Sequence, residues 1–331
     1  MSTVYVLGAG ASKHVGYPLA STMRSEMLSW MEKRDDFRYT AEFIREEFGD
    51  SPDIENVITE LDAHIKSLEN ATELEDRRTR TSYTSQRMEV RKAVPIWFSE
   101  IHNNPAPAYA HFAENVQRGD VVITFNYDDS IERELKRLGK WDIWQGYGFQ
   151  VGDSGRATQV PVLKLHGSIN WLVSIFGGMT SGTFALGSNG SLGDCPCIAT
   201  DPLKYLGYED MTGTFPGGGG FPSLVLPGRT KEFYYHTSFG PEHEEFFNSL
   251  WFQAAAALQR ADTLVLCGYS LLPVDERACK LLLGEPSKNV KVVVVSGSQG
   301  ERISNDFRRA GFQIVECYDG GHFERWVADP G

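Results

Sequence analysis

Cysteine is scarce in this chain: five residues, Cys195, Cys197, Cys267, Cys279 and Cys317, lie at irregular spacing among 331. An odd count without a regular interval argues against a disulfide framework and reads as reduced thiols. Long hydrophobic runs are missing, since no apolar stretch approaches the roughly 20 residues that cross a bilayer, and no membrane association is expected. Positive charge is in deficit. With 44 acidic against 32 basic side chains the formal charge is −12, which argues against direct nucleic-acid binding, because phosphate contacts require a basic surface. No basic segment or cleavage site precedes the first apolar run, so the expected location is the cytoplasm. No internal repeat is visible. What the chain does have is 41% hydrophobic residues, enough for a sizeable core at a length that suits one elaborated α/β domain or two small ones.

The apolar runs set the organisation. Val4 to Leu7, Val121 to Phe125, Val162 to Leu165, Thr263 to Cys267, Val290 to Val295 and Gln313 to Glu316 are short and continuous, as strands covered on both faces of a parallel sheet must be. They predict a Rossmann-like, doubly wound α/β sheet of about six strands forming one domain over residues 1–331. Two insertions interrupt it. Residues 17–118 read as helical. Within them Ser51-Pro52-Asp53 caps a helix whose Ile54, Val57, Ile58 and Leu61 share one face. Arg77 to Arg91 reads as a solvated helix face or loop. Residues 172–241, rich in glycine and proline and including Gly217-Gly218-Gly219-Gly220, read as an irregular insertion after the strand that leads to His166.

Three strand ends carry polar motifs, and ligands of such sheets bind beyond the carboxyl ends of the strands. Gly8-Ala9-Gly10-Ala11-Ser12 opens a helix, where small side chains and free backbone N–H groups would face an anion. Position 13 is Lys13, not the last glycine of a dehydrogenase fingerprint, and no strand ending in an acid follows at the usual distance. Hydride transfer is therefore disfavoured. Asn126 and Asp128 end the second strand and, while the chain stays extended, face one cleft. The alternative is that these side chains simply cap the helix that starts near Ser130, a reading that suits Asp128 more than Asn126. His166 stands where the third strand stops, before Gly167-Ser168, a position that suits a base titrating near neutrality. Asn170 and Trp171 follow it, to line the entrance or to pack.

Taken in order, Gly8 to Ser12, Thr124-Phe125-Asn126-Tyr127-Asp128 and Leu163 to Trp171 resemble the sirtuin superfamily, and more closely its prokaryotic SIR2-like branch. Phe125 replaces the glutamine of the sirtuin Thr-Gln-Asn-x-Asp pattern. The resemblance covers the sheet strands and their motifs and leaves both insertions unassigned. It implies NAD as substrate and Asn126 and His166 as catalytic residues. Gly8, Gly10, Ala11 and Ser12 would embrace the pyrophosphate, Pro18 would begin a cofactor-binding loop, and Asp128 would shape the nicotinamide pocket. Gly268 and Ser270 of Gly268-Tyr269-Ser270 would approach the phosphates and adenosine ribose, with Asp275 supporting the site or capping a helix. Ser296 would sit by the adenosine, and Gly320-Gly321-His322-Phe323 would close over the adenine.

Sirtuin deacylases hold a structural zinc with two CxxC pairs. Here Cys195-Pro196-Cys197 alone is present and cannot supply four tetrahedral ligands, so no metal is expected and deacylation is disfavoured. The branch that the motifs resemble implies NAD glycohydrolysis in antiphage defence, held in check by homo-oligomerisation or a regulatory protein partner. The alternatives are an NAD-dependent deacylase or ADP-ribosyltransferase, and a noncatalytic sensor of NAD or ADP-ribose.

Overall fold

Runs of valine, isoleucine and leucine favour the extended chain because branched side chains pack well on a pleated surface, and all six become strands. The computed structural model describes residues 2–49, 53–143, 145–149, 159–174, 184–185, 197–199, 220–226, 241–273 and 275–329. Its main sheet contains β1 (Thr3–Leu7), β2 (Val121–Thr124), β3 (Val162–Lys164), β8 (Thr263–Cys267), β9 (Lys291–Val295) and β10 (Ile314–Cys317). The spatial order is β10-β9-β8-β1-β2-β3, and every neighbouring pair is parallel. The sequence pattern placed each strand to within about one residue at either end.

That order decides where a ligand can sit. The chain steps from β1 outward through β2 to β3, then returns to the other flank of β1 as β8 and steps outward again through β9 to β10. The order therefore reverses at β1, and the turns that follow β1 and β8 meet at the topological switch point.

The segment after β1 is helical, with α1 (Ala9–Ser12), α2 (Ala20–Met31), α3 (Asp35–Phe48), α4 (Ile54–Ser67), α5 (Leu74–Ile101) and α6 (Pro107–Asn115). The helix expected from the Asp53 cap is α4: Asp53 Oδ1 accepts from the Glu55 amide at 2.8 Å, and Ile54, Val57, Ile58 and Leu61 are buried. The charged stretch Arg77 to Arg91 fits the expected solvated helix face at its start, where Arg77 and Arg78 are exposed, and departs from it towards its end. It lies within α5, and Arg87 and Arg91 are buried, Arg87 against the equally buried Asp62 of α4. These guanidinium groups face inward because α5 is clasped by α4 and α3, which only the tertiary fold brings there.

The remaining helices are α7 (Ser130–Arg137), α8 (Pro241–Gln259), α9 (Glu276–Gly284), α10 (Gly300–Arg309) and α11 (Phe323–Ala328). Tyr5 of β1 meets Phe112 of α6 edge to face at 4.9 Å and Trp326 of α11 at 6.4 Å. Helix α8 contributes Phe247, Leu250, Trp251, Ala254 and Leu258, one helical stripe, to the core.

A second sheet of four strands has the order β5-β6-β4-β7, built from β4 (Gly167–Ser174), β5 (Phe184–Ala185), β6 (Cys197–Ala199) and β7 (Gly220–Leu224) in antiparallel pairs. The expectation of an irregular stretch over 172–241 is corrected to this extent: its described parts are mostly short strands. Two- to five-residue strands leave little alternation to read. The rest of that stretch, with Cys195 and the four-glycine run up to Gly219, lies outside the described residues. Among the described residues no helix is long and apolar enough to cross a membrane.

Candidate active site

The carboxyl ends of the strands surround a cavity of about 520 Å³, lined by residues from the ends of β1, β2, β8 and β9 together with α2, α4 and α11. It brings together Gly8, Gly10, Ser12, Pro18, Asn126, Asp128, His166, Gly268, Ser270, Asp275, Ser296 and Phe323. Among the positions expected to serve catalysis or hold the cofactor, Ala11 and Gly320 do not line it. Ala11 is fully buried, and its amide is bonded to the Gly8 carbonyl at 2.9 Å.

The two glycine turns lock together. A Cβ on Gly8 would stand 2.5 Å from the Tyr269 Cα, and one on Gly10 2.8 Å from the Gly268 Cα. Gly268 itself has φ +61°, a conformation that glycine adopts freely. The close approach is fastened by Gly8 N donating to Cys267 O at 3.0 Å and Gly10 N to Gly268 O at 2.9 Å. The amides of Gly8, Gly10 and Ala11, expected to be free for an anion, are thus already paired. The glycines permit the meeting of β1 and β8, and α1 is a single turn. A positive charge that does reach the cavity is Lys13, exposed and the one lysine or arginine among its described wall residues.

Ser12 is likewise committed. Its hydroxyl donates to Asp128 Oδ2 at 2.7 Å, receives the Asn126 amide nitrogen at 2.9 Å and lies 2.8 Å from the Tyr109 hydroxyl. A serine oxygen has one proton and two lone pairs, so nothing is left over for a phosphate. Asn126 Nδ2 also donates to Gly8 O at 2.9 Å. A carbonyl can only accept, which fixes the amide orientation and makes Oδ1 the atom that Asn126 offers to the cavity. Asp128 answers both alternatives of the sequence reading. It lines the cavity, and its Oδ1 accepts from the Ser130 amide at 3.1 Å, at the start of α7.

His166 sits in the turn between β3 and β4, where Gly167 takes φ +82°. Its ring is buried, edge-on to Phe125 at 5.0 Å, with Trp251 at 6.4 Å. Phe125 in turn stacks on Tyr269 at 4.4 Å. The His166 Nε2 lies 3.8 Å from Asp275 Oδ2, and that carboxylate oxygen accepts from the Tyr269 hydroxyl at 3.2 Å. Burial first, and then the charge of Asp275, push the Tyr269 phenol well above its ordinary range, so it remains a donor. Asp275 Oδ1 also caps α9 through the Ala278 amide. Asp275 is therefore the carboxylate placed to face the His166 ring.

At the far end, Ser296 Oγ donates to Tyr269 O at 3.1 Å, and Ser270 O accepts from the Arg302 guanidinium of α10. Leu271 between them is held at φ +44°. The Phe323 ring, expected over an adenine, is 2% exposed and packed against Tyr109 and Phe112 at 5.3 and 5.6 Å. Its neighbours Gly321, His322 and Glu324 also line the cavity. Trp171 is core, edge-on to Tyr147, and Asn170 donates to the Tyr147 hydroxyl. Neither lines the cavity. The sequence reading missed Glu55, which α4 brings to the cavity wall. The Asp53 cap marked where that helix begins, while its packing against α5 and α2 had no local signal.

No family model matches the sequence, and no curated protein matches it significantly. Solved structures do. One is Sir2 bound to an acetylated peptide, 15% identical over 100% of this chain and 93% of that one, with a TM-score of 0.44. Another is Sir2 with a p53 peptide and NAD+, 14% identical over 100% and 93%, also at 0.44. A third is Sir2 in complex with the inhibitor EX-527, 2′-O-acetyl-ADP-ribose and a deacetylated p53 peptide, 13% identical over 99% and 91%, at 0.42. These solved structures are Sir2 proteins. The parallel α/β architecture of this chain stands on its own strand pairing.

Proposed function

We propose that the chain is an NAD+ glycohydrolase that cleaves NAD to nicotinamide and ADP-ribose. The observation that carries the reading is that Asn126 and His166, from the ends of two adjacent strands, face one cavity at the switch point of the sheet. Its volume lies within the range of about 300–1,000 Å³ usual for small-molecule sites. The motif order Gly8 to Ser12, Asn126 to Asp128 and His166-Gly167 supports NAD as the occupant through its resemblance to SIR2-like proteins.

Cleavage of the N-glycosidic bond sends its electron pair to the pyridinium nitrogen and leaves positive charge on the ribose. Carboxylates in the wall, Glu55, Asp128 and Asp275, favour that charge over the neutral ground state of the sugar. Asn126 Oδ1 is the acceptor that orients a water or a ribose hydroxyl. His166 takes the proton released as the new C–O bond forms, and Asp275 offsets the imidazolium. Lys13 supplies a cation for the diphosphate.

The same resemblance extends the proposal to antiphage defence by NAD depletion, in the cytoplasm, with a homo-oligomer or regulatory partner restraining the enzyme. The deciding experiment follows nicotinamide release from NAD by wild type, Asn126→Ala and His166→Ala, with and without an acyl-lysine peptide. Peptide-independent turnover lost in both variants is expected. Release that requires the peptide would make the chain a deacylase, and NAD binding without release would make it a sensor. Expression in cells challenged with phage, with NAD measured before lysis, tests the defence role.

A further inference from the structure

Ser12, Tyr109, Asn126 and Asp128 form a largely buried polar cluster of four side chains contributed by α1, α6 and the segment after β2. Tyr109 is foreign to every strand-end motif. It lies 97 residues from Ser12 and is 1% exposed. Proton accounting fixes the direction of every bond. Asp128 can only accept, so the Ser12 proton goes to it. Ser12 Oγ then has only lone pairs left, so both Asn126 Nδ2 and the Tyr109 hydroxyl must donate to it. Burial, reinforced by the charge of Asp128, pushes the Tyr109 phenol well above its ordinary range, so it stays a donor. Donors in such a chain polarise one another, and the whole set ends on one carboxylate.

We infer that Ser12, anchored on Asp128, and Tyr109 are positioning residues that hold the Asn126 amide with Oδ1 presented to the cavity. The inference rests on the proposed glycohydrolase reading and departs from a phosphate-binding role for Ser12. Asn126 has two anchors, Gly8 O and Ser12 Oγ, both at 2.9 Å. Loss of Ser12 leaves the amide hinged on one bond, free to turn its NH2 towards the cavity. Tyr109 acts one step further away by filling the second lone pair of Ser12, so its effect is smaller and in the same direction. Neither touches the substrate.

The test measures kcat and KM for NAD in wild type, Ser12→Ala, Tyr109→Phe, Asn126→Ala and Ser12→Ala/Asn126→Ala, each checked for folding by its melting temperature. Loss of one hydrogen-bond anchor predicts a fall in kcat of about 10- to 100-fold for Ser12→Ala and about 3- to 10-fold for Tyr109→Phe. KM stays within about two-fold, since uniform binding is untouched. In the Asn126→Ala background, Ser12→Ala has no further effect on the residual rate, because residues acting as one unit are not additive. A phosphate ligand at Ser12 would give the opposite pattern, a raised KM with kcat preserved and an effect that persists without Asn126, and would overturn the inference. An amide-exchange measurement separates this from failure of the functional reading. The Asn126 side-chain NH2, assigned by its loss in Asn126→Ala, should exchange slowly in wild type and quickly in Ser12→Ala. Fast exchange in wild type would refute the positioning geometry, whereas slow exchange with no NAD turnover would refute the glycohydrolase reading and, with it, the catalytic role of the cluster.

Discussion

Replacing Gly268 by alanine tests whether the meeting of the two glycine turns holds the site together. The added Cβ would stand 2.5 Å from the Gly10 carbonyl carbon and 2.7 Å from its Cα, and closer still to the Ala11 nitrogen. These are backbone atoms, so no side chain can swing aside. Ordinary contact begins at 3.4 Å, and the β1 turn must therefore retreat by about 1 Å in a close-packed interior. That retreat breaks the 2.9 Å bond from Gly10 N to Gly268 O, a loss of about 1–3 kcal/mol for buried partners. Holding alanine at φ +61° costs about 1–2 kcal/mol more. A total of about 2–5 kcal/mol lowers Tm by about 4–10 °C at roughly 2 °C per kcal/mol for a chain of this size. Calorimetry reads that directly, and NAD turnover should fall with it because Asn126 is anchored to Gly8. Gly284 is the control. It ends α9 with no atom near an added Cβ, and alanine there should be neutral or stabilise by about 0.5–1 kcal/mol. An unchanged Tm in Gly268→Ala would refute the steric argument.

Two further substitutions probe the buried charges. Arg87→Ala leaves Asp62, whose carboxyl is raised by burial with Arg87 opposing, without its ion-pair partner. A loss of about 3–5 kcal/mol in urea unfolding is expected, larger at pH 8 than at pH 5, and a loss below about 1 kcal/mol would show that the pair is dispensable. Glu132→Gln tests a pH effect: burial, partly offset by Lys164, raises the Glu132 carboxyl from 4.5 to about 7. Between those values the folded state holds a proton that the unfolded state has lost, so stability falls as pH rises, by on the order of 3 kcal/mol across the window. Glu132→Gln should flatten that slope, and an unaltered slope would assign it to other groups.

The six-stranded sheet was legible because its inner strands are buried on both faces and so stay largely apolar, a pattern that survives without knowledge of neighbours, while the edge strand β10 is partly exposed. Helix α4 was legible for a similar reason, since Asp53 and the stripe from Ile54 to Leu61 are local. The second sheet was not. Gly167–Ser174 pairs on one side with residues some 25 positions further on and on the other with residues some fifty further on, Trp171 sitting opposite Ile198 and Val173 opposite Phe221, and nothing local distinguishes such short partners from loop. Arg87 and Arg91 were misread for the same cause: their charge pointed to solvent until Asp62 and the packing of α5 supplied the other side.

The site residues divide along the same line. Sequence located Asn126 and His166 because strand ends in a doubly wound sheet converge, and the cavity lies where they converge. It could not give the hydrogen-bond partners, and those reassign Ser12 and the glycine amides from ligand contacts to scaffold. Asp128 shows what that scaffold demands. Its carboxylate takes Ser12 and the Ser130 amide, while its carbonyl takes the buried Lys164 ammonium, which also donates to Glu132 at 2.9 Å. A buried ion pair of this kind is weak support for stability, because desolvation offsets most of its Coulombic gain, and the raised Glu132 carboxyl records that offset. Its physical justification is therefore positional. Lys164 ends β3 and Asp128 follows β2, so the ammonium pins the chain that carries Asn126 to the strand that leads to His166, and the two residues proposed for catalysis are held to one another through the floor beneath them.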